Sequence, residues 1–364
     1  MTFTVKIHHI DVGQADATLI LCYNERNKTS PYITEINFKF GGVPGKLRST
    51  RDDPALPVFA ILIDAGHNPV AGEEIHRFCI RKLTGKSPSE TKKIKHLDML
   101  IISHNHKDHV GGIPKFLELD KEFELLTNKT KILEPPGNKC SQLSSLVKQA
   151  NIDASEITKP AVGDFIKIGS IMFKCISIGD TSREYKESTI SSPSTSMETG
   201  LVRPAGLRSA KNADIENKSN GWMLTFVSEQ LLTKSFTYIT AGDAPAGQEY
   251  EFASQIPNKI DVMKASHHGS FSGNTLWEKM NDGAVIIVNA GRSKHFHPAR
   301  EFLIKAFNSN RKPLILVTGM LDELGKMRSE NAAGKNPKDA KPESQRAWTL
   351  DQTDHTLEIK QNFE

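Results

Sequence analysis

The chain has 364 residues, 37% apolar and 25% charged, an ordinary globular balance with room for one large α/β domain or two smaller ones. Its formal net charge of +4 does not mark a nucleic-acid binder on its own, although it tolerates a polyanionic substrate. No apolar run is long enough to span a bilayer, no basic-then-apolar leader opens the chain, and Cys22, Cys79, Cys140 and Cys175 form no C-x-x-C pair. The expectation is a cytoplasmic protein with reduced thiols and no membrane partner.

Two β-rich runs between Val5 and Cys22, parted by a turn at Gly13, predict a hairpin. Residues 24–57 are polar and punctuated by Gly41-Gly42, Pro44-Gly45, Pro54 and Pro57, which reads as a loop insertion holding one short strand over 32–40. Residues 58–66 form a short buried strand ending in Asp64. From Glu73 to Leu83, the residues Ile75, Phe78, Cys79 and Leu83 recur at helical spacing. A second buried strand follows over 97–103, and Pro114 suits the first turn of a helix reaching about Leu126. Strand signals return at 132–133, 164–168, 171–178, 222–227, 236–240, 261–266 and 284–289. Residues 181–220, rich in Ser, Asn and charge, have the composition of a disordered insertion or a mobile lid. A helix is expected over 299–307, then a polar connector over 321–345 and a closing hairpin of 347–351 with 355–360.

Past the second buried strand the chain reads Ser103-His-Asn-His-Lys-Asp-His-Val-Gly-Gly112. Neutral imidazole and carboxylate are the usual ligands of zinc and similar divalent ions. His104 and His106, two apart in an extended turn, can point at one ion. Asp108 and His109 then emerge on the other side and can hold a second. Chance clustering among 13 histidines is the weaker explanation.

This motif resembles the signature of the metallo-β-lactamase fold superfamily. Asp11-Val-Gly-Gln-Ala-Asp, Ile63-Asp-Ala-Gly, Thr240-Ala-Gly-Asp, Lys264-Ala-Ser-His-His-Gly-Ser and Asn289-Ala-Gly-Arg-Ser-Lys-His-Phe-His-Pro accompany it in order. Together they resemble the hydrolase domain of the competence protein ComEC and its stand-alone soluble relatives, over about residues 5–318. The resemblance implies an α/β fold, the αββα sandwich, with a dinuclear metal site at the sandwich edge. It also implies a hydrolase domain over residues 1–320, with insertions at about 24–57 and 181–220, and residues 321–364 packed on it as connector and hairpin.

Carried over residue by residue, the metal ligands would be His104, His106, Asp108 and His109, with Asp243 bridging both ions and His267 completing the second. The neighbouring His268 would contact substrate or stand behind the ligands, and an exchange of roles between the two stays open. Asp64 would brace the histidine turn, with Asp11, Gln14 and Asp16 in a turn near the rim. Asp108, His268 and His297 are the catalytic candidates, with His297 as substrate clamp or proton donor. Asn220, Ser270 and Asn289 are the substrate-side candidates.

No histidine lies between His109 and His267, so the third histidine found on the first ion in many members is missing. Asn217 or Asn220 stands in its region. The implied cofactors are two divalent ions, zinc or manganese, the first held more weakly. The implied activity is that of a phosphodiesterase or nuclease using hydroxide generated at the metals on DNA, RNA or nucleotides. The alternatives are hydrolysis of carbon esters, lactones or thioesters, or service as a subunit of a larger assembly such as a defence system. Lys107 and Lys264, beside the ligands, read as exposed lysines.

Overall fold

The computed structural model describes residues 3–24, 32–51, 56–84, 95–137, 140, 142–143, 148–149, 152–179, 218–227, 235–257, 259–270, 276–291, 297–318, 347–351 and 356–363. Two mixed sheets stand face to face. In spatial order the first contains β16 (Ala347–Asp351), β17 (Thr356–Phe363), β1 (Phe3–Ile10), β2 (Thr18–Asn24), β5 (Phe59–Ile63), β6 (Met99–Ile101), β7 (Lys131–Leu133) and β8 (Ile157–Thr158). The second contains β15 (Leu314–Val317), β14 (Met280–Val288), β13 (Ile260–Lys264), β12 (Ser235–Thr240), β11 (Gly221–Val227), β10 (Ile171–Ser177), β9 (Phe165–Ile168), β3 (Tyr32–Phe40) and β4 (Val43–Arg51). The pairs from β5 to β8 and from β12 to β15 are parallel, and the remaining ladders are antiparallel.

The period of two along a strand explains the layering. In β5, Phe59, Ile61 and Ile63 join the core between the sheets, while Ala60 and Leu62 face the other way. In β14, Val285 and Ile287 point to the same inner core, and Ala284, Ile286 and Val288 point outward. Each outer face is covered by helices. On the first sheet, α1 (Pro69–Leu83) and α3 (Ile113–Asp120) contribute Ile75, Phe78, Phe116 and Leu117. On the second, α4 (Ala246–Ala253) and α5 (Arg300–Asn308) contribute Phe252 and Phe302. The result is helix, sheet, sheet, helix. A fully buried Leu or Phe contributes about 1.5–3 kcal/mol, so the three apolar layers hold the strand ends firmly.

Several elements differ from the sequence expectation. The 24–57 region holds a hairpin of two strands, β3 and β4, turning at Gly41-Gly42, with Ile36 and Phe40 buried against the inner core. Pro44 does not prevent β4, because that strand is the sheet's edge. Helix α1 begins earlier than expected, because the Asn68 side chain caps the Ala71 amide at 2.9 Å and Pro69 opens the first turn. Helix α3 ends at Asp120, whose carboxylate accepts from the Leu125 and Leu126 amides at 2.8 and 2.9 Å and turns the chain. The strand β15 and helix α4 carry too weak a periodicity to have been read. The closing hairpin forms and pairs through β17 with the first strand of the chain. Most of the 181–220 and 321–345 segments, with Asn217, His295 and His355, lie outside the described residues.

The histidine turn is seated by glycines. A methyl group on Gly112 would stand 2.0 Å from the Ala65 carbonyl oxygen, and one on Gly72 would stand 2.2 Å from that of Gly112. Backbone therefore meets backbone where α1 passes the start of α3. Gly112→Ala is expected to lower stability by about 1–3 kcal/mol through overpacking. Thermal unfolding checks this, and an unchanged midpoint would refute the close-approach argument.

Candidate metal centre

The parallel strands of both sheets release their C-terminal ends at one edge, and the chemistry-bearing residues lie there. Asp64 follows β5. Ser103 to Asp108 follow β6, with Asp108 and His109 in the single turn α2 (Lys107–Val110). Asp243 follows β12, His267 and His268 follow β13, and Asn289 follows β14.

Four donors converge most closely. The Nε2 of His268 lies 3.1 Å from Asp108 Oδ2 and 3.8 Å from Asp243 Oδ1. His109 Nε2 lies 3.4 Å from Asp243 Oδ1 and 3.8 Å from Asp108 Oδ2. Ligands about 2.0–2.2 Å from one zinc-sized ion stand roughly 3–3.5 Å apart in a tetrahedron, so this set has the dimensions of a cation cage. Asp108 is shared with a second group, His104 and His106. The other oxygen of Asp243, Oδ2, lies 3.7 Å from His104 Nε2. The His104 and His109 Nε2 atoms and Asp243 Oδ1 are buried without a hydrogen-bond partner. Buried polar atoms without partners are costly. Bare nitrogen lone pairs facing carboxylate oxygens are what a divalent cation would satisfy, so the donor set fits a metal.

The outer nitrogens are held as such a site requires. His109 Nδ1 donates to Asp64 Oδ2 at 2.8 Å, and His268 Nδ1 donates to the Asn289 carbonyl at 2.6 Å. Each bond leaves Nε2 as the inward-facing atom. Asp64 also accepts from the Ser103 amide at 2.7 Å and its hydroxyl at 2.6 Å. Asp243 is delivered by Gly242, where a side chain would stand 2.6 Å from Ser103 Oγ, and its amide donates to Ser219 Oγ at 2.9 Å.

Electrostatics follow from this crowding. Burial opposes the charged form of Asp243, yet His268, His109 and His104 hold its carboxyl well below the usual range. Burial likewise opposes charge on His109 and His268. The surrounding carboxylates win, raising His109 well above its ordinary value and His268 above its own. His104 moves the other way, lowered by burial and by the His109 charge.

The structure groups His268, and not His267, with Asp108, His109 and Asp243. Alternation along an extended chain favours the opposite assignment, but both residues are left-handed (φ 49° and 53°), so the alternation does not apply. His267 Nε2 lies 3.8 Å from Asp243 Oδ2, on the side that faces His104, and its side chain is 25% exposed. The ring of His297 stands 5.7 Å from that of His267 and 6.2 Å from that of His268. Asn220 is turned to backbone: its amide donates to the Ser103 carbonyl and its side chain to the Glu134 carbonyl, both at 2.8 Å. The Ser270 amide closes the 266–269 turn on the His267 carbonyl. Asp11 accepts from the Gly13 amide at 3.1 Å, and the Gln14 amide lies where the backbone of Gly291 approaches. Ser103 is not among the residues the sequence points to at the site, whereas Asp16 comes from the turn expected near the rim, its Oδ2 3.7 Å from His109 Nδ1. Lys264 is buried, not exposed, because every side chain of β13 is covered on both faces of the sheet.

Residues 59–121, from β5 through the histidine turn to the end of α3, match the model of the metallo-beta-lactamase superfamily. The chain carries a metallo-beta-lactamase superfamily domain. It is also a distant homologue of ComE operon protein 3 of Bacillus subtilis (strain 168), with 23% identity over 215 residues. That match covers 58% of this chain and 22% of that protein's length. No solved structure matches the chain significantly. A buried His/Asp cluster at the sandwich edge of this fold is the apparatus of a metal-dependent hydrolase. Among the described residues no helix is long and apolar enough to cross a membrane.

Two outcomes test the site. His268→Ala should weaken binding of the tighter ion by on the order of a hundredfold, while His267→Ala leaves it within about threefold. Calorimetry with Zn²⁺ measures both, and the reverse ranking would reassign the ligand. Because the surrounding carboxylates raise His109 and His268, protons compete with the cation for them, so loading should release protons and affinity should fall as pH drops. Binding heats that do not vary with buffer ionisation enthalpy would contradict this.

Proposed function

We propose that the protein is a phosphodiesterase that cleaves nucleic-acid or nucleotide substrates at a centre of two divalent cations. The observation that carries this reading is Asp243, whose two oxygens face two different donor groups, 3.4 Å from His109 Nε2 on one side and 3.7 Å from His104 Nε2 on the other. Paired ions supply a hydroxide nucleophile at neutral pH and offset charge on phosphoryl oxygens.

The chain's own residues divide the remaining work. His109, His268, Asp108 and Asp243 form the fuller donor group. The His104/His106 group is poorer, since no histidine lies between His109 and His267. Coordination positions on that side are left for substrate oxygens. His267 and His297 stand together toward solvent, the available donors for a phosphate oxygen or for the proton a leaving alkoxide takes. The resemblance to the ComEC hydrolase domain and the chain's basic excess favour a polyanionic phosphodiester over a carbon ester.

The test is turnover of labelled single- and double-stranded DNA, RNA, bis-p-nitrophenyl phosphate and a lactone panel in Mn²⁺ or Zn²⁺. Phosphodiester cleavage is expected, lost on chelation and lowered by at least about a thousandfold in Asp243→Asn. His297→Ala should lower kcat by roughly a hundredfold. Turnover of the lactones alone would overturn the proposal.

A further inference from the structure

Behind the closest donors lies a buried ion pair, Lys264 with Asp16, whose carboxylate also lies near Asp64 and His109. Lys264, on β13, is 1% exposed, and its ammonium is clamped to Asp16 Oδ2. It also donates to the Gly242 carbonyl at 2.9 Å and lies 3.9 Å from Asp243 Oδ1. Asp16 reaches the same site from the opposite sheet, from the turn between β1 and β2. Its Oδ1 is 3.5 Å from His268 Nδ1 and its Oδ2 is 3.7 Å from His109 Nδ1. Both distances exceed a hydrogen bond, and each imidazole already has its own closer acceptor, the Asn289 carbonyl and Asp64. Asp16 is therefore a carboxylate, paired with Lys264 through Oδ2, that stands behind two donors of one cage, and its Oδ1 is buried without a hydrogen-bond partner.

The backbone ties it in as well. The Asp16 amide donates to the Asp108 carbonyl at 3.1 Å, and its carbonyl accepts from the Gly66 amide at 2.9 Å. A lysine and an aspartate buried this deeply cost desolvation that an apolar pair of the same shape would avoid, so stability alone gives weak reason for them.

We propose that Asp16 and Lys264 are positioning residues that set the charge felt by the His109/His268 cage: Asp16 strengthens the two imidazoles as donors, and Lys264 limits that effect while staying off Asp243. The pair works only as a pair. Without Asp16, the stranded ammonium turns to Asp243 Oδ1 and competes with the cation for it. Without Lys264, the carboxylate acts on both imidazoles undiluted, and one positive charge is removed from the cation's surroundings.

This rests on the metal-centre assignment, and calorimetric titration of the metal-free full chain with Mn²⁺ alone separates the two. Wild-type protein that takes up no Mn²⁺ defeats the centre itself. If it binds, Asp16→Asn should weaken the tighter site by about tenfold or more and Lys264→Met should tighten it severalfold. The double variant should return to within about threefold of wild type. A merely structural pair would lower the unfolding midpoint in both single variants without opposite shifts in affinity, and that result overturns the proposal. Breaking one half of a buried pair can prevent folding. Should Asp16→Asn fail to fold, the double variant, which strands no charge, decides: affinity more than tenfold below wild type rejects the role, and near-wild-type affinity with a tighter Lys264→Met upholds it.

Discussion

The Asp64 carboxylate is the contact on which the site depends. It sits at the end of β5 in a left-handed conformation (φ 60°), buried, and receives the Ser103 amide, the Ser103 hydroxyl and His109 Nδ1. Burial pushes its carboxyl upward, and the His109 charge works against that shift. A carboxylate in such a place survives only because three donors replace its water. They come from a turn of seven residues, so one side chain fixes both ends of the His104–His109 segment. The strained backbone at Asp64 is thus maintained by the contacts it creates.

Distance along the chain is overcome by strand order. The histidine turn and Asp243 are far apart in sequence and belong to different sheets, yet each leaves the C-terminal end of a parallel strand at the same edge. Ser103 joins the two: its carbonyl accepts from the amide of Asn220, which directly precedes β11; β11 pairs with β12, and β12 delivers Asp243. Gln248 on α4 then ties Ser177 to the Ser219 carbonyl beneath the same corner. The sandwich acts as a rigid frame, and the ligands project from its rim on short, heavily bonded connections.

Much of this was legible in the residues. The period-two runs marked most strands, and Ser103–Gly112 pointed to a histidine and aspartate cluster with the donors to hold a metal. What escaped has physical reasons. The strand over 32–40 was legible, but its partner β4 was hidden by Pro44 and by polar residues; among the hairpin's described side chains, Ile36, Phe40 and partly Phe38 and Leu47 meet the core. Lys264 read as exposed because lysine usually is, and only the pairing of two sheets could show an aspartate waiting for it. Asn220 stood in the right neighbourhood, and local sequence cannot reveal that its side-chain amide group donates to the Glu134 carbonyl.

His267 and His268 mark the limit of local reasoning most sharply. Side-chain alternation assumes extended backbone, and Ser266–Gly269 is instead a tight turn with both histidines left-handed. The turn is enforced from outside: the His267 amide bonds the Gly242 carbonyl, and the Gly269 carbonyl accepts from Ala299 at the start of α5. Those bonds come from segments that precede and follow the motif by many residues. They place His268 inward against Asn289 and leave His267 toward solvent beside His297. Adjacent identical residues thus receive different chemistry from their surroundings. One is buried with its outer nitrogen held by the Asn289 carbonyl, and the other is partly exposed beside His297.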